Sequence, residues 1–393
     1  MSYKFSTNAV HAGEMGRKPF GAVTTPIVQS STFTFKDSAD ILDFMQTKAD
    51  GNRPEQFEYG RYGNPTQRAA EEKLAVLEGG ERALLFSSGM NAITTTFLAL
   101  LGKGDHMILT RDCYHRTREF ATVLLARWGI EATLVDISQP DSFVQALRPN
   151  TRLVFCETPT NPYLRVADID WLAEFARQNH LISMVDSTFA TPVNLRPLEH
   201  GVDLVAQSAT KYLGGHNDLL AGAIIGSAQA LADIELARGL LGGVPSPNDA
   251  YLLLRGAKTL ELRVQRQNEN GLRVARYLES HPMVQRVYYP GLPSHPDYAV
   301  AARLLGGFGS VVSFELDGDF EKTGRFIDGL LLPHIGPTLG GVESIIEQPA
   351  SLFSLDPVER KAAGIKDNLV RYAIGIENGD DLIADLEQAF QKL

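Results

Sequence analysis

The chain has 393 residues, 44% apolar and 21% charged, with a formal net charge of −10. That length suits two packed domains, and the acidic balance argues against nucleic acid or an anionic membrane as the main partner, because both attract clustered lysine and arginine. The two cysteines, Cys113 and Cys156, form no Cys-x-x-Cys pair, so neither a disulfide framework nor a zinc cluster is expected.

Residues 1–60 lack strong periodicity and include a polar insert, Lys48 to Glu58, expected to form a surface loop or arm. From there the pattern turns to short apolar runs at 83–86, 107–110, 152–157, 181–187 and 204–210, which read as buried strands. Helical patterns lie between them at Asn91–Leu101, Arg116–Trp128 and Ile169–His180. Alternation of this kind predicts an α/β fold with a large, mostly parallel sheet covered on both faces, assigned to residues 61–255. A long helix is expected over Asp249–Ser280, followed by strands at 309–317 and 369–377 that place a smaller α/β domain at 256–393. The apolar uncharged stretch Leu219 to Ala232 is shorter than the ~20 residues that span a bilayer, and the longer uncharged stretch over residues 83–102 is broken up by Ser, Gly, Asn and Thr. A cytoplasmic protein acting on a small molecule is the expectation.

The chemistry-bearing residues sit where these strands end. In Ser208-Ala-Thr210-Lys211-Tyr-Leu-Gly-Gly-His216, a lysine follows a strand and two hydroxyl residues. A desolvated lysine at such a position forms an imine with an aldehyde cofactor, and the hydroxyls at Ser208 and Thr210 suit a phosphate. Asp186 ends the apolar run 25 residues upstream, where a carboxylate would hold a pyridinium nitrogen. Ser87-Ser88-Gly89-Met90 follows a strand and opens a helix, so its backbone amides and the helix dipole offer an anion site. Walker A and Gly-x-Gly-x-x-Gly sequences are missing, and the nine histidines include no His-Glu-x-x-His, which weighs against nucleotide and metal chemistry.

Together these segments resemble the cysteine/methionine-metabolism family of enzymes dependent on pyridoxal 5′-phosphate (PLP), the cystathionine γ-synthase and γ-lyase group. The likeness is carried by Ser208–Gly215, Tyr59-Gly-Arg61-Tyr-Gly-Asn-Pro-Thr66, Glu157-Thr-Pro-Thr-Asn161-Pro162, and Leu339-Gly-Gly341 with Glu343-Ser344. Plant-type cystathionine γ-synthases are the nearest in pattern, through Asp112–Arg118, Tyr289–Pro296 and Gly364–Arg371.

The resemblance implies the fold-type I PLP-transferase architecture, PLP as cofactor and chemistry at Cγ of a homoserine-type amino acid. The best match is γ-replacement of an activated homoserine by cysteine, and the alternative is γ-elimination from cystathionine, methionine or an O-linked derivative such as canavanine. It implies Lys211 as Schiff-base lysine and proton shuttle, Tyr114 stacked on the ring, and Asp186 on the pyridine nitrogen. Ser88, Gly89, Met90, Ser208 and Thr210 would hold the phosphate with Tyr59 and Arg61 of a neighbouring subunit, in a homotetramer. Arg371 would grip the substrate α-carboxylate, with Asn161 beside the carboxylate or the cofactor O3′.

Three departures bear on substrate. His115 and Arg116 stand where many relatives have two glycines, so Arg116 either faces inward toward an anionic leaving group or belongs to the polar face of its helix. Thr338 replaces the usual serine before Leu-Gly-Gly and is expected to border the substrate, while Pro337 stands where several γ-enzymes carry glutamate. The run Gln348 to Asp356 lacks the Thr-His-Ala or Ser-His-Ala signature of bacterial relatives.

Overall fold

The computed structural model describes residues 3–52, 54–353, 356–362 and 364–393; two residues of the Gln348–Asp356 run, 354 and 355, lie outside them. Seven strands make the larger sheet: β1 Arg82–Phe86, β2 His106–Thr110, β3 Glu131–Val135, β4 Thr151–Glu157, β5 Ile182–Asp186, β6 Leu204–Gln207 and β7 Gly222–Gly226. Their order is β1-β7-β6-β5-β4-β2-β3. The strands from β6 across to β3 run parallel, and β7 runs antiparallel to both of its neighbours. Near-continuous apolar runs fill β1, β2, β4, β5 and β6 because helices cover both faces. Only the edge strand β3 is half exposed.

A second sheet has the order β10-β11-β12-β9-β8, built from β8 Val284–Tyr288, β9 Val311–Leu316, β10 His334–Ile335, β11 Ile345–Glu347 and β12 Leu369–Ala373. Its core includes Val312, Phe314, Phe326, Val370, Tyr372 and Leu386. Val311, Leu339 and Ala373 of this half pack with Tyr212 and Leu213 of the other, so the two sheets share one apolar cluster.

Two helical expectations change in detail. The helix expected over Asp249–Ser280 is two helices, Pro247–Ala257 and Leu260–Ser280, broken at Lys258–Thr259. The division expected between residues 255 and 256 falls inside the first of them. Close packing accompanies the break: a Cβ on Gly256 would stand 2.1 Å from the Gly214 carbonyl oxygen, and Arg263 of the second helix donates to Tyr212 O at 2.7 Å. Both contacts brace the loop that carries Lys211. The helix expected over Arg116–Trp128 holds a π turn at Phe120–Leu124, a local widening often found beside functional sites.

Candidate active site

Because β4, β5 and β6 run parallel, their C-terminal ends share one edge of the sheet, where α/β folds place ligands. The ladder sets Glu157 opposite Asp186 and Asp186 opposite Ala206, two positions before the segment Ser208-Ala-Thr-Lys211 begins. The order of the chain thus becomes a row of acid, acid and lysine loop.

Asp186 is buried, and its Oδ1 accepts from Thr188 N at 3.0 Å and Thr188 Oγ1 at 2.6 Å. Burial raises its pKa, and the two Thr188 donors oppose that rise. Ser208 is anchored next to it, its N–H donating to Thr188 Oγ1 at 2.8 Å.

Lys211 donates from Nζ to Thr338 Oγ1 at 2.8 Å. Burial, followed by the neighbouring Arg371 charge, lowers its pKa to about 8 while Glu347 opposes the fall. An amine so placed is a better nucleophile and base near neutral pH than an exposed lysine. Thr338 also offers its carbonyl to Arg371 Nη2 at 3.2 Å, and Arg371 Nη1 donates to Asn161 Oδ1 at 3.1 Å. Lys211, Thr338, Arg371 and Asn161 therefore form one connected group.

A cavity of about 340 Å³ opens beside them, lined among others by Tyr114, Arg116, Asn161, Pro337, Glu347 and Arg371. Tyr114 is 39% exposed there, and its backbone N–H donates to Glu157 Oε2 at 2.7 Å. Arg116 lies at the rim, paired with Glu119 at 2.6 Å. Its guanidinium belongs to the polar face of its helix while its residue still borders the cavity.

Across the lysine loop, Ser88 caps the helix Gly89–Leu100, its Oγ accepting from Asn91 N at 3.0 Å. The first-turn amides of Gly89 and Met90 precede the helical ladder and are open to an anion. A Cβ on Gly89 would meet Ser208 Cβ and Oγ at 2.9 Å, so glycine is what lets the helix end and the lysine loop approach each other. Met90 Sδ receives Thr117 Oγ1 at 3.5 Å, which links that helix end to the Tyr114 segment. The Thr210 hydroxyl exchanges hydrogen bonds with the Ala221 backbone at 3.0 and 3.2 Å.

Tyr59 and Arg61 are not brought to this group within one chain. Arg61 donates to the Gly239 carbonyl and stacks near the Tyr59 and Tyr62 rings, and Tyr59 is 44% exposed. Sequence reasoning missed Glu347, whose Oε1 meets Arg371 Nη1 at 2.9 Å, and it gave Glu157 no role. The signal for Glu347 was an acid ending a short apolar run 24 residues before Arg371, too common a pattern to single out.

A lysine with a lowered pKa, a carboxylate at the neighbouring strand end and a helix N-terminus packed on the lysine loop are an arrangement that fits a PLP-dependent α/β enzyme. The chain matches the family described as Cys/Met metabolism PLP-dependent enzyme over residues 6–391, and it belongs to that family. It is 47% identical over 390 residues to cystathionine gamma-synthase 1, chloroplastic, of Nicotiana tabacum, which covers 98% of this chain and 71% of the tobacco protein. It is 40% identical over 401 residues to L-methionine gamma-lyase of Fusobacterium nucleatum subsp. polymorphum, covering 100% of this chain and 99% of that protein. The crystal structure of cystathionine gamma-lyase from Lactobacillus plantarum complexed with L-serine superposes with a TM-score of 0.90 at 37% identity, covering 99% of each chain. Among the described residues, no helix is long and apolar enough to cross a membrane, and no cluster of His, Cys, Asp and Glu could hold a metal ion.

Proposed function

We propose that the chain catalyses γ-replacement on an activated homoserine, with cysteine as the thiol, as a cystathionine γ-synthase would. The observation that carries this reading is the single connected group of Lys211, Thr338, Asn161 and Arg371 beside a cavity rimmed by Arg116. PLP, when bound, supplies the electron sink that acidifies the substrate Cα–H. Lys211 holds the cofactor and then moves protons between substrate carbons as a free amine. Asp186 holds the ring nitrogen, and Tyr114 covers the ring. Ser88, Gly89, Met90 and Ser208 receive the phosphate, and Thr210 joins them by turning the hydroxyl proton that the Ala221 carbonyl now accepts. Arg371 orients the α-carboxylate with a planar fork that lysine lacks. Tyr59 and Arg61 complete the site of a neighbouring copy, which requires at least a two-fold pair; a closed homotetramer in the cytoplasm is the assembly we propose.

A second reading is γ-elimination, favoured by the 40% identity to L-methionine gamma-lyase of Fusobacterium nucleatum subsp. polymorphum; Pro337, where several γ-enzymes carry glutamate, does not separate the two readings. The test is the visible spectrum of the purified protein and of Lys211→Ala, each with O-phosphohomoserine, O-succinylhomoserine, cystathionine and canavanine, with products weighed by mass spectrometry. A cofactor band lost in Lys211→Ala, with cystathionine formed from an activated homoserine plus cysteine, supports replacement. Release of 2-oxobutanoate or homoserine without any thioether moves the assignment to elimination.

A further inference from the structure

Glu157 ends β4 with its side chain 4% exposed, and it sits directly opposite Asp186 in the parallel ladder. Its Oε2 accepts from the Tyr114 backbone N–H at 2.7 Å, and the Asn161 backbone also donates to it. One buried carboxyl therefore touches the segments bearing three site residues. Asp186 has two donors from Thr188 to sustain a negative charge, one of them a hydroxyl at 2.6 Å. Glu157 has two backbone amides, which oppose the rise in its pKa, and among the described residues it pairs with no cation. The titratable groups facing it are Asp186 from β5, Asp112 and Cys113 from the segment after β2, and Cys156 on its own strand. The nearby Arg111, Arg118 and Arg165 act on Asp112.

Resting on the cofactor reading above, we propose that Glu157 is a positioning residue that works as a neutral acid: it keeps its proton, fixes Tyr114 through the backbone, and leaves Asp186 as the one anion behind the cofactor ring. Two adjacent buried carboxylates do not both ionise, because each disfavours the charge of the other. Burial and the Asp186 charge push the Glu157 carboxyl well above the ordinary range, while the Thr188 amide and hydroxyl hold Asp186 against its own rise. With one anion behind the ring, a single pyridinium charge is matched one to one. With two, the ring proton would be held more tightly and the Tyr114 segment would be repelled from a second buried charge.

The role predicts an unusual pattern of substitution. Glu157→Gln keeps an acceptor for the Tyr114 N–H and keeps neutrality, whereas Glu157→Leu removes the acceptor. In the PLP-loaded protein, Glu157→Gln should leave the pH midpoint of the visible cofactor band within ~0.5 unit of wild type and KM within ~2-fold. Glu157→Leu should change the circular dichroism of that band and raise KM more than it lowers kcat. The infrared difference between wild type and Glu157→Gln at neutral pH should show the loss of one carboxylic-acid C=O stretch, the buried Glu78, whose pKa is raised to about 8, contributing its own band to both. If Glu157→Leu fails to fold, the glutamine variant and the infrared difference decide alone. A difference spectrum without that lost band, or a Glu157→Gln midpoint displaced by more than ~1 unit, overturns the proposal while the cofactor reading stands. A wild type that shows no visible band with PLP overturns both.

Discussion

Arg371 and Glu347 face each other as a buried ion pair, Nη1 to Oε1 at 2.9 Å, with both side chains less than a tenth exposed on the wall of the cavity that Tyr114 and Asn161 also line. Burial raises the Glu347 pKa, and Arg371 and then Lys211 oppose the rise. A substrate carboxylate that reaches Arg371 must therefore share it with a carboxylate already in place. Replacing Glu347 by Gln removes the competitor, so KM is expected to fall ~3- to 10-fold. Removing one partner of a buried pair also costs about 3 kcal/mol of stability, read by denaturant unfolding. A KM that rises instead would assign Glu347 to holding the substrate itself.

Lys211 offers a pH test with a fixed sign. Its folded-state pKa, about 8, lies below the ordinary 10.5 because of burial and then Arg371. Between those two values the unfolded chain holds a proton that the fold does not, so the cofactor-free protein gains stability as pH rises through this window. Unfolding curves of wild type and Lys211→Met at the two ends should diverge, with wild type alone showing the gain from this group. The rate of PLP capture should rise with pH and level off just above the same midpoint, and Arg371→Leu should move that midpoint upward. A capture midpoint near the ordinary lysine value would remove the claim that the fold activates this amine.

Gly222 of β7 packs against the backbone of Ser88 and Gly89, the segment proposed to receive the phosphate. A Cβ there would lie 2.2 Å from the Ser88 carbonyl oxygen and 2.7 Å from Gly89 Cα, both backbone atoms with little freedom to yield. Gly222→Ala should displace the N-terminus of the helix Gly89–Leu100, weaken PLP binding by at least ~10-fold and destabilise the fold by about 1–3 kcal/mol. Gly102→Ala, whose Cβ would meet only Asp105 Oδ2 at 3.6 Å, is the matched control. Equal PLP affinity in the two variants, by fluorescence titration, would show that PLP binding does not depend on this contact.

Which parts of this architecture could be read from the chain follows from how local their causes are. β2, β4, β5 and β6 are buried on both faces, so each appears as an unbroken apolar run, and Asp186 and Lys211 stand out because they close such runs. β7 was invisible because glycines begin and end it inside a long uncharged stretch, and β3 because an exposed edge strand carries a weak pattern. The break at Lys258–Thr259 depends on Gly256 approaching Gly214, a contact between segments some forty residues apart. The pairings of Glu157 with Asp186 and of Glu347 with Arg371 are properties of strand register. No local pattern encodes them, whereas the motif glycines and hydroxyls at Ser88, Gly89, Ser208 and Thr210 announce an anion site through their residue types.

The arm gives the sharpest test of a shared site. Arg61 and Tyr59 lie near Gly239 and Tyr62 of their own chain, and neither lines the cavity that holds Tyr114 and Arg371. If they serve the cofactor phosphate of a neighbouring copy, Arg61→Ala and Lys211→Ala are each inactive for a different reason. One lacks the donated cation, and the other lacks the accepting lysine. Unfolding the two together and refolding them as a mixture creates paired sites in which an intact lysine meets an intact arm. Random pairing then restores activity in about a quarter of all sites of a two-fold assembly. Activity that stays at the level of the separately refolded variants would place Arg61 in its own chain's structure, and its exposed tyrosine neighbours would then need another partner.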